Sequence, residues 1–70
     1  MSEICAHITG TVWKVEVKVG DKVDVGDVVA VLESMKMEMP LEAEVGGVVT
    51  EIRVGEGQAI SEGDVLAVVE

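Results

Sequence analysis

The sequence contains an internal duplication, and this feature most constrains what the chain can fold into. A shift of 37 positions places residues 10–33 on residues 47–70 without a gap, and ten of the 24 aligned pairs are identical. The identical pairs include Gly10 with Gly47, Gly20 with Gly57, Gly26 with Gly63 and Asp27 with Asp64. We therefore expect one domain over residues 1–70, built from two similar units that span about 8–33 and 45–70.

Within these units, apolar and polar residues alternate with a period of two. In the first unit the apolar parity carries Trp13, Val15, Val17 and Val19, and the polar parity carries Lys14, Glu16 and Lys18. From residue 37 onward the apolar parity carries Met37, Met39, Leu41, Ala43 and Val45. This alternation is typical of half-buried strands. It places Trp13 on the inward parity, at the position that Thr50 occupies in the second unit, so we expect either a core residue or a partly covered residue that breaks the pseudo-symmetry.

Glycine-containing turns divide each unit into about four short strands. The sequences VGDKV, VGDVV, VGEGQ and SEGDV interrupt the apolar alternation with glycine beside a polar residue. Eight strands in two similar units predict an all-β fold, in which two four-stranded antiparallel sheets form a flattened barrel or sandwich with pseudo-twofold symmetry. Pro40 has no N–H to donate, so we expect it at a sheet edge or with its nitrogen facing solvent.

The charge of the chain restricts its partners. Fourteen acidic and five basic residues give a formal net charge of −9 at pH 7, which disfavours nucleic acid and anionic membranes as partners. The acidity either provides solubility or steers docking onto basic enzyme surfaces. The N-terminal sequence MSEICAHI resembles no signal peptide, so we expect a cytoplasmic protein.

The remaining reactive side chains are isolated in the sequence. Cys5 is the single cysteine, which excludes an internal disulfide, and we interpret it as an incidental thiol. His7 alternates with Ile4, Ala6 and Ile8 and is expected on the outer surface. No nucleophile–base pair or metal cluster is present in the sequence, so a catalytic function is disfavoured.

The connection between the two units, LESMKMEMP at residues 32–40, is present only once. Its centre is Lys36, flanked by Met35 and Met37 and bracketed by Glu33 and Glu38. The strand patterns on both sides predict that Lys36 lies at the tip of a hairpin, although the usual Asn-Gly or Asp-Gly turn residues are missing. A lysine at a turn is either an ordinary solvated residue or a functional amine. Exposed methionines without a function would be unexpected.

The segment ESMKME resembles the biotin-attachment motif of biotinyl domains, which has Met-Lys-Met shortly after a glutamate. The flanking segments GTVWKVEVKVGDKVDVGDVVAVLE and GGVVTEIRVGEGQAISEGDVLAVVE are similar to the rest of that domain, so the resemblance covers about residues 6–70. It implies that a biotin protein ligase, using biotinyl-AMP, attaches biotin to Lys36. The biotin would then carry CO₂ from a biotin carboxylase to a carboxyltransferase, and the domain itself would be a non-catalytic carrier.

The resemblance also suggests roles for the neighbours of Lys36. Met35 and Met37 would cover the apolar part of the arm or fit a ligase pocket. For Met37, continuation of the inward strand parity is an equal alternative. Glu33, Ser34 and Glu38 would contribute to ligase recognition, and for the two glutamates a solvated pair that offsets Lys36 is an equal alternative.

Two rival functions and two departures from the family remain. Lipoyl domains share the fold but carry Asp-Lys-Ala at the tip, so biotin is favoured over lipoate. Because some stand-alone proteins that the chain resembles accept both groups, a dual biotin and lipoyl acceptor stays an alternative, and an unmodified structural module is the other rival. The chain has Ala-His-Ile-Thr-Gly at residues 6–10, where biotinyl domains often have Ala-Pro-Met-Pro-Gly. The gapless duplication leaves no room for an inserted thumb. The chain is therefore most similar to small stand-alone attachment proteins, and we expect a monomer.

Overall fold

The structure is a computed structural model that describes residues 2–70, and eight β-strands account for its regular secondary structure. The strands are β1 (Ser2–Cys5), β2 (Gly10–Val15), β3 (Lys22–Val23), β4 (Val28–Ser34), β5 (Met37–Glu42), β6 (Gly47–Ile52), β7 (Ala59–Ile60) and β8 (Val65–Val69). Among residues 2–70, no helix is long and apolar enough to cross a membrane.

The strands form two four-stranded antiparallel sheets, in the orders β1-β8-β6-β3 and β5-β4-β2-β7. Exchanging β1 with β5, β2 with β6, β3 with β7 and β4 with β8 converts one order into the other. The predicted all-β architecture with pseudo-twofold symmetry is therefore confirmed. We call the sheet that contains β4 and β5 the hairpin sheet and the other the opposite sheet.

The core lies between the two sheets and is entirely apolar among the described residues. Its largest fully buried side chains are Leu32, Leu66, Val12, Val29, Val49 and Val69. Val12 and Val49 are equivalent in the duplication, as are Leu32 and Val69. The two units thus contribute similar side chains to a single core, as a small chain with little buried surface requires.

Four turns between the strands share one hydrogen-bonding arrangement. In each, the N–H of the fourth residue donates to the carbonyl of the first, and the side chain of the fourth accepts from the N–H of the first. The turns are Lys18–Asp21, Asp24–Asp27, Gly55–Gln58 and Ser61–Asp64. The third residue is always glycine with φ between +86° and +99°, which this turn type requires.

Trp13 is not a core residue; the alternative expectation of a partly covered residue is confirmed. The pairing of β2 with β4 shifts between Val12 and Lys14, so Trp13 is the extra residue of a β-bulge and is 50% exposed. The bulge reverses the strand parity, which places Val12 in the core and leaves Trp13 and Lys14 on the outside. Val19, assigned to the same inward parity, is likewise exposed at the second position of a turn.

Other predictions about individual positions are confirmed. Pro40 lies in β5, the edge strand of the hairpin sheet. His7 is exposed, whereas Ala6 before it is buried and Ile8 after it is half-buried. Cys5 is a free, exposed thiol.

Candidate functional site

The connection between the two units is a tight hairpin whose turn consists of Met35 and Lys36. Strands β4 and β5 stay paired as far as Ser34 with Met37, so only two residues remain for the turn. Both have left-handed backbones, with φ of +52° at Met35 and +67° at Lys36. Two positive φ values define the hairpin turn in which Asn-Gly is preferred, and each costs an L-residue about 1–2 kcal/mol. The turn therefore keeps a left-handed backbone conformation that neither Met35 nor Lys36 favours.

The side chains of the tip project into solvent. Met35 is 91% exposed, Met37 is 61% exposed, and Lys36 between them is also exposed. Met37 does have the parity of the buried Leu41, but it lies beyond the end of the core, where that parity no longer buries a side chain. Neither methionine is a core residue, so both are free to contact a group attached to Lys36 or a partner protein.

Two carboxylates lie one step below the tip. Glu33 on β4 pairs directly with Glu38 on β5, and both side chains are exposed, while Ser34 is half-buried. The ion pairs found among residues 2–70 are Lys14 with Glu16 at 3.6 Å and Arg53 with Glu51 at 3.2 Å. Glu33, Lys36 and Glu38 form no side-chain hydrogen bond or ion pair within that part of the chain. Their charges are available to a partner.

Just below the turn, β4 is held against β2 by a close backbone approach that the sequence prediction missed. A Cβ atom added to Gly10 would overlap the carbonyl oxygen of Glu33 and come within 3.3 Å of the Ser34 Cβ. Gly47 approaches the carbonyl oxygen of Glu70 in the same way, with an added Cβ at 2.6 Å. The identity of Gly10 and Gly47 in the duplication was the signal that could have indicated this role.

The tip offers an exposed amine, and the two main surface depressions formed by residues 2–70 do not include it. Two surface depressions of about 480 and 500 Å³ lie elsewhere, the first between β1 and residues 42–45 and the second beside Val25 and Pro40. No group of three or more potential metal ligands occurs among residues 2–70. The geometry suits an amine that another protein modifies and that reaches into other active sites.

A comparison with family models gives one match that covers nearly the whole chain. Residues 1–69 match the model of a biotin and lipoyl family described as "Biotin-requiring enzyme". The match includes the hairpin, the glycine-containing turns and both sheets.

Curated relatives of the chain include small proteins named for attachment of a prosthetic group. A biotin/lipoyl attachment protein of Bacillus subtilis is 49% identical over 41 residues, which are 59% of this chain and 56% of that protein. The biotinylated protein TB7.3 of Mycobacterium tuberculosis is 51% identical over 41 residues, 59% of this chain and 58% of that protein. The matched segments thus span little more than half of these relatives.

Among solved structures, urea carboxylase of Kluyveromyces lactis contains a similar fold. The superposition has a TM-score of 0.91 and 36% sequence identity, and it covers 99% of this chain but 6% of the carboxylase. This chain is therefore similar to one small part of a large carboxylase.

Proposed function

The chain belongs to the family of biotin-requiring enzymes, and from this membership we propose that it is a biotin carrier in which Lys36 holds biotin as an amide. The observation that carries the proposal is the position of Lys36, exposed on a two-residue turn that protrudes from a fully paired hairpin. Biotinylated and carboxylase relatives favour biotin over lipoate as the attached group.

The surroundings of Lys36 fit covalent attachment. The amine is exposed and has no ion-pair partner among residues 2–70, so a ligase meets no competing contact. The ligase first joins biotin to ATP as biotinyl-AMP and releases pyrophosphate. Nζ of Lys36 then attacks the acyl carbon, the bond from that carbon to the phosphate oxygen of AMP breaks, AMP leaves and the amine loses its proton, so the amide carries no positive charge. When bound, biotin supplies the ureido ring that carries CO₂.

The fold contributes position rather than catalysis. The paired strands β4 and β5 hold the turn, and the left-handed backbones of Met35 and Lys36 fix the direction in which the lysine leaves the hairpin. A rigid base and a long side chain raise the effective concentration of the attached group at the active sites of a biotin carboxylase and a carboxyltransferase. Those two enzymes and a biotin protein ligase are the partners that this function requires.

Carboxyl transfer onto the purified carrier tests this function. The wild-type protein and Lys36→Arg are treated with a biotin protein ligase, ATP and biotin, and then with a biotin carboxylase, ATP and labelled bicarbonate. We expect acid-labile label on the wild-type protein and none on Lys36→Arg. A fully biotinylated wild-type protein that accepts no label would contradict the carboxyl-carrier function.

Lipoate attachment is the alternative, and intact mass distinguishes the two. The same protein is offered biotin with a biotin protein ligase and lipoate with a lipoate ligase in parallel reactions. We expect a single biotinyl adduct that streptavidin detects. A lipoyl adduct, with no streptavidin signal from the biotin reaction, would assign the hairpin to lipoate.

A further inference from the structure

The single aromatic side chain of the protein is in an unexpected place. A chain of 70 residues has little apolar surface to bury, and an indole is its largest apolar group. Yet Trp13 is half-exposed, because the bulge in β2 turns it away from the core. The indole therefore adds little to the buried apolar surface that stabilises a small core. This indicates that Trp13 has a function at the surface.

Trp13 lies on the same outer face as the carboxylates below the tip. On this face Glu33 of β4 pairs with Glu38 of β5. Two residues farther from the tip, Val31 of β4 pairs with Pro40 of β5. On its other side Val31 pairs with Lys14 of β2, the residue after Trp13. Pro40 is exposed and Val31 is half-buried. We call Trp13, Val31 and Pro40 the apolar row. It crosses three adjacent strands of the hairpin sheet.

The duplication supplies an internal comparison for the apolar row. The equivalent positions on the opposite sheet carry Thr50, Val68 and Glu3, of which Val68 is buried. The bulge itself is present in both sheets, with Thr50 as the extra residue of the second. The backbone is therefore shared, and among these equivalent positions the apolar side chains that reach the surface are those on the sheet that carries Lys36.

The distance between the apolar row and the tip of the hairpin is short compared with the width of a protein interface. Val31 lies three residues before Ser34, about 10 Å along the strand, and the neighbouring strand is about 5 Å away. An interface of standard size buries about 800 Å² on each partner and is about 30 Å across. A protein that closes over Lys36 with an interface of that size therefore reaches the apolar row.

We propose that the apolar row, with Trp13 as its anchor, is a docking surface for the ligase that modifies Lys36. This inference rests on the proposed function. A ligase must bring Nζ itself into its active site, so it has to contact the carrier around the hairpin. A carboxylase instead meets a group at the end of a long arm and needs less contact with this face.

Charge favours the same occupant. A ligase that uses ATP holds its phosphate groups with cationic side chains in its active site. Because Nζ itself has to enter that site, the carrier surface around Lys36 comes close to those cations, whereas a carboxylase meets only the end of the arm. Glu33 and Glu38 lie between the apolar row and Lys36 and are exposed, while Lys14 beside Trp13 is paired with Glu16. The face thus combines an indole, a side chain that often dominates the affinity of an interface, with acidic residues that complement a cationic partner.

Biotinylation kinetics test the docking surface. The variants are Trp13→Thr, which introduces the residue found at position 50, the conservative Trp13→Phe, and Val19→Thr as a control that alters another exposed apolar residue. We expect Trp13→Thr to lower kcat/KM for biotinylation by about tenfold or more, through KM. Trp13→Phe should recover part of the loss, and Val19→Thr should match the wild-type protein. Thermal denaturation of each variant shows whether the fold is preserved.

Fluorine NMR gives a direct view of the same contact. With 5-fluorotryptophan in the carrier, Trp13 gives the single fluorine signal, and we expect it to shift or broaden on titration with ligase. A signal that changes with carrier concentration alone would assign the row to a second copy of the chain and overturn the proposal. An unchanged signal under ligase titration would do the same.

The outcomes separate this inference from the carrier function. If the wild-type protein is not biotinylated, the carrier function fails. If it is biotinylated and Trp13→Thr is modified equally well, only the docking surface is overturned. A Trp13→Thr carrier that is biotinylated normally but is a poor substrate for a biotin carboxylase would assign the row to the carboxylase instead.

Discussion

Gly10 lies against the carbonyl oxygen of Glu33, with no space between them for a β-carbon. The contact joins the start of β2 to β4 three residues before Lys36, and it therefore holds β4 in place just below the turn that carries Lys36.

Replacing Gly10 tests the importance of this contact. Gly10→Ala should lower the free energy of unfolding by about 2 kcal/mol, because the backbone of β2 or β4 has to move. Gly55→Ala is the matched control, since an added Cβ there meets no atom within 4 Å. Chemical denaturation measures both. Equal stability of Gly10→Ala and the wild-type protein would show that the strands separate at no cost.

A residue that tolerates positive φ in the turn at the tip should raise the free energy of unfolding of the protein. Met35 is left-handed and almost fully exposed, so Met35→Asn relieves backbone strain and loses no packing. We expect a gain of up to about 1 kcal/mol in the free energy of unfolding. The same variant should be biotinylated more slowly if Met35 contacts the ligase. A destabilised Met35→Asn protein, measured by thermal unfolding, would contradict the strained turn.

The bulge in β2 predicts that substitutions at two adjacent residues lower the free energy of unfolding by very different amounts. Val12→Ala empties a fully buried position and should cost about 2–3 kcal/mol, a large part of the stability of a small domain. Trp13→Thr, at the exposed position, should cost less than about 1 kcal/mol. Urea unfolding of the two variants compares them. If Trp13→Thr were less stable than Val12→Ala, the result would instead support a strand without the bulge, in which Trp13 points inward.

The turn at Asp24–Asp27 should depend on a hydrogen bond rather than on a charge. Asp27 accepts from the N–H of Asp24 at 2.8 Å, and Gln58 makes the equivalent bond with its amide oxygen in another turn. Asp27→Ala should therefore cost about 1 kcal/mol, and Asp27→Asn much less. Thermal unfolding at constant pH measures both. Equal losses in the two variants would indicate that the carboxylate charge is required.

Much of the fold could be predicted because the duplication constrains it. Because the two units have similar sequences, a strand arrangement that is favourable for one is favourable for the other. This predicts two sheets with equivalent strand orders. The glycines of the turns were recognisable since a positive φ at the third turn position tolerates few other residues. The protruding hairpin followed from the sequence between the two units, in which strand patterns meet around Lys36.

The bulges could not be predicted from the alternation. Val12 and Trp13 are both apolar, so a strand with either residue inward has the same pattern, and the extra residue of a bulge has no side-chain signature of its own. The duplication did contain a signal, because Val12 has an identical counterpart in Val49 whereas Trp13 corresponds to Thr50. A core position changes less between two copies that share one core than a surface position does.

The left-handed backbone at Met35 and Lys36 was also beyond the sequence pattern. Turn type is normally predicted from residues that tolerate positive φ, and neither methionine nor lysine is among them. Here the pairing of Ser34 with Met37 leaves only two residues to reverse the chain, so the strands determine the turn. Local preference is overridden by the register of the flanking strands.

Site-resolved mass spectrometry after biotinylation tests the central claim most directly. Apo protein is treated with a biotin protein ligase, ATP and biotin, and the adduct is then located by peptide fragmentation in the wild-type protein and in Lys36→Arg. We predict one biotinyl group, on Lys36 and on none of Lys14, Lys18 or Lys22, and no adduct on the variant. An unmodified wild-type protein, or an adduct that persists in Lys36→Arg, would contradict the account.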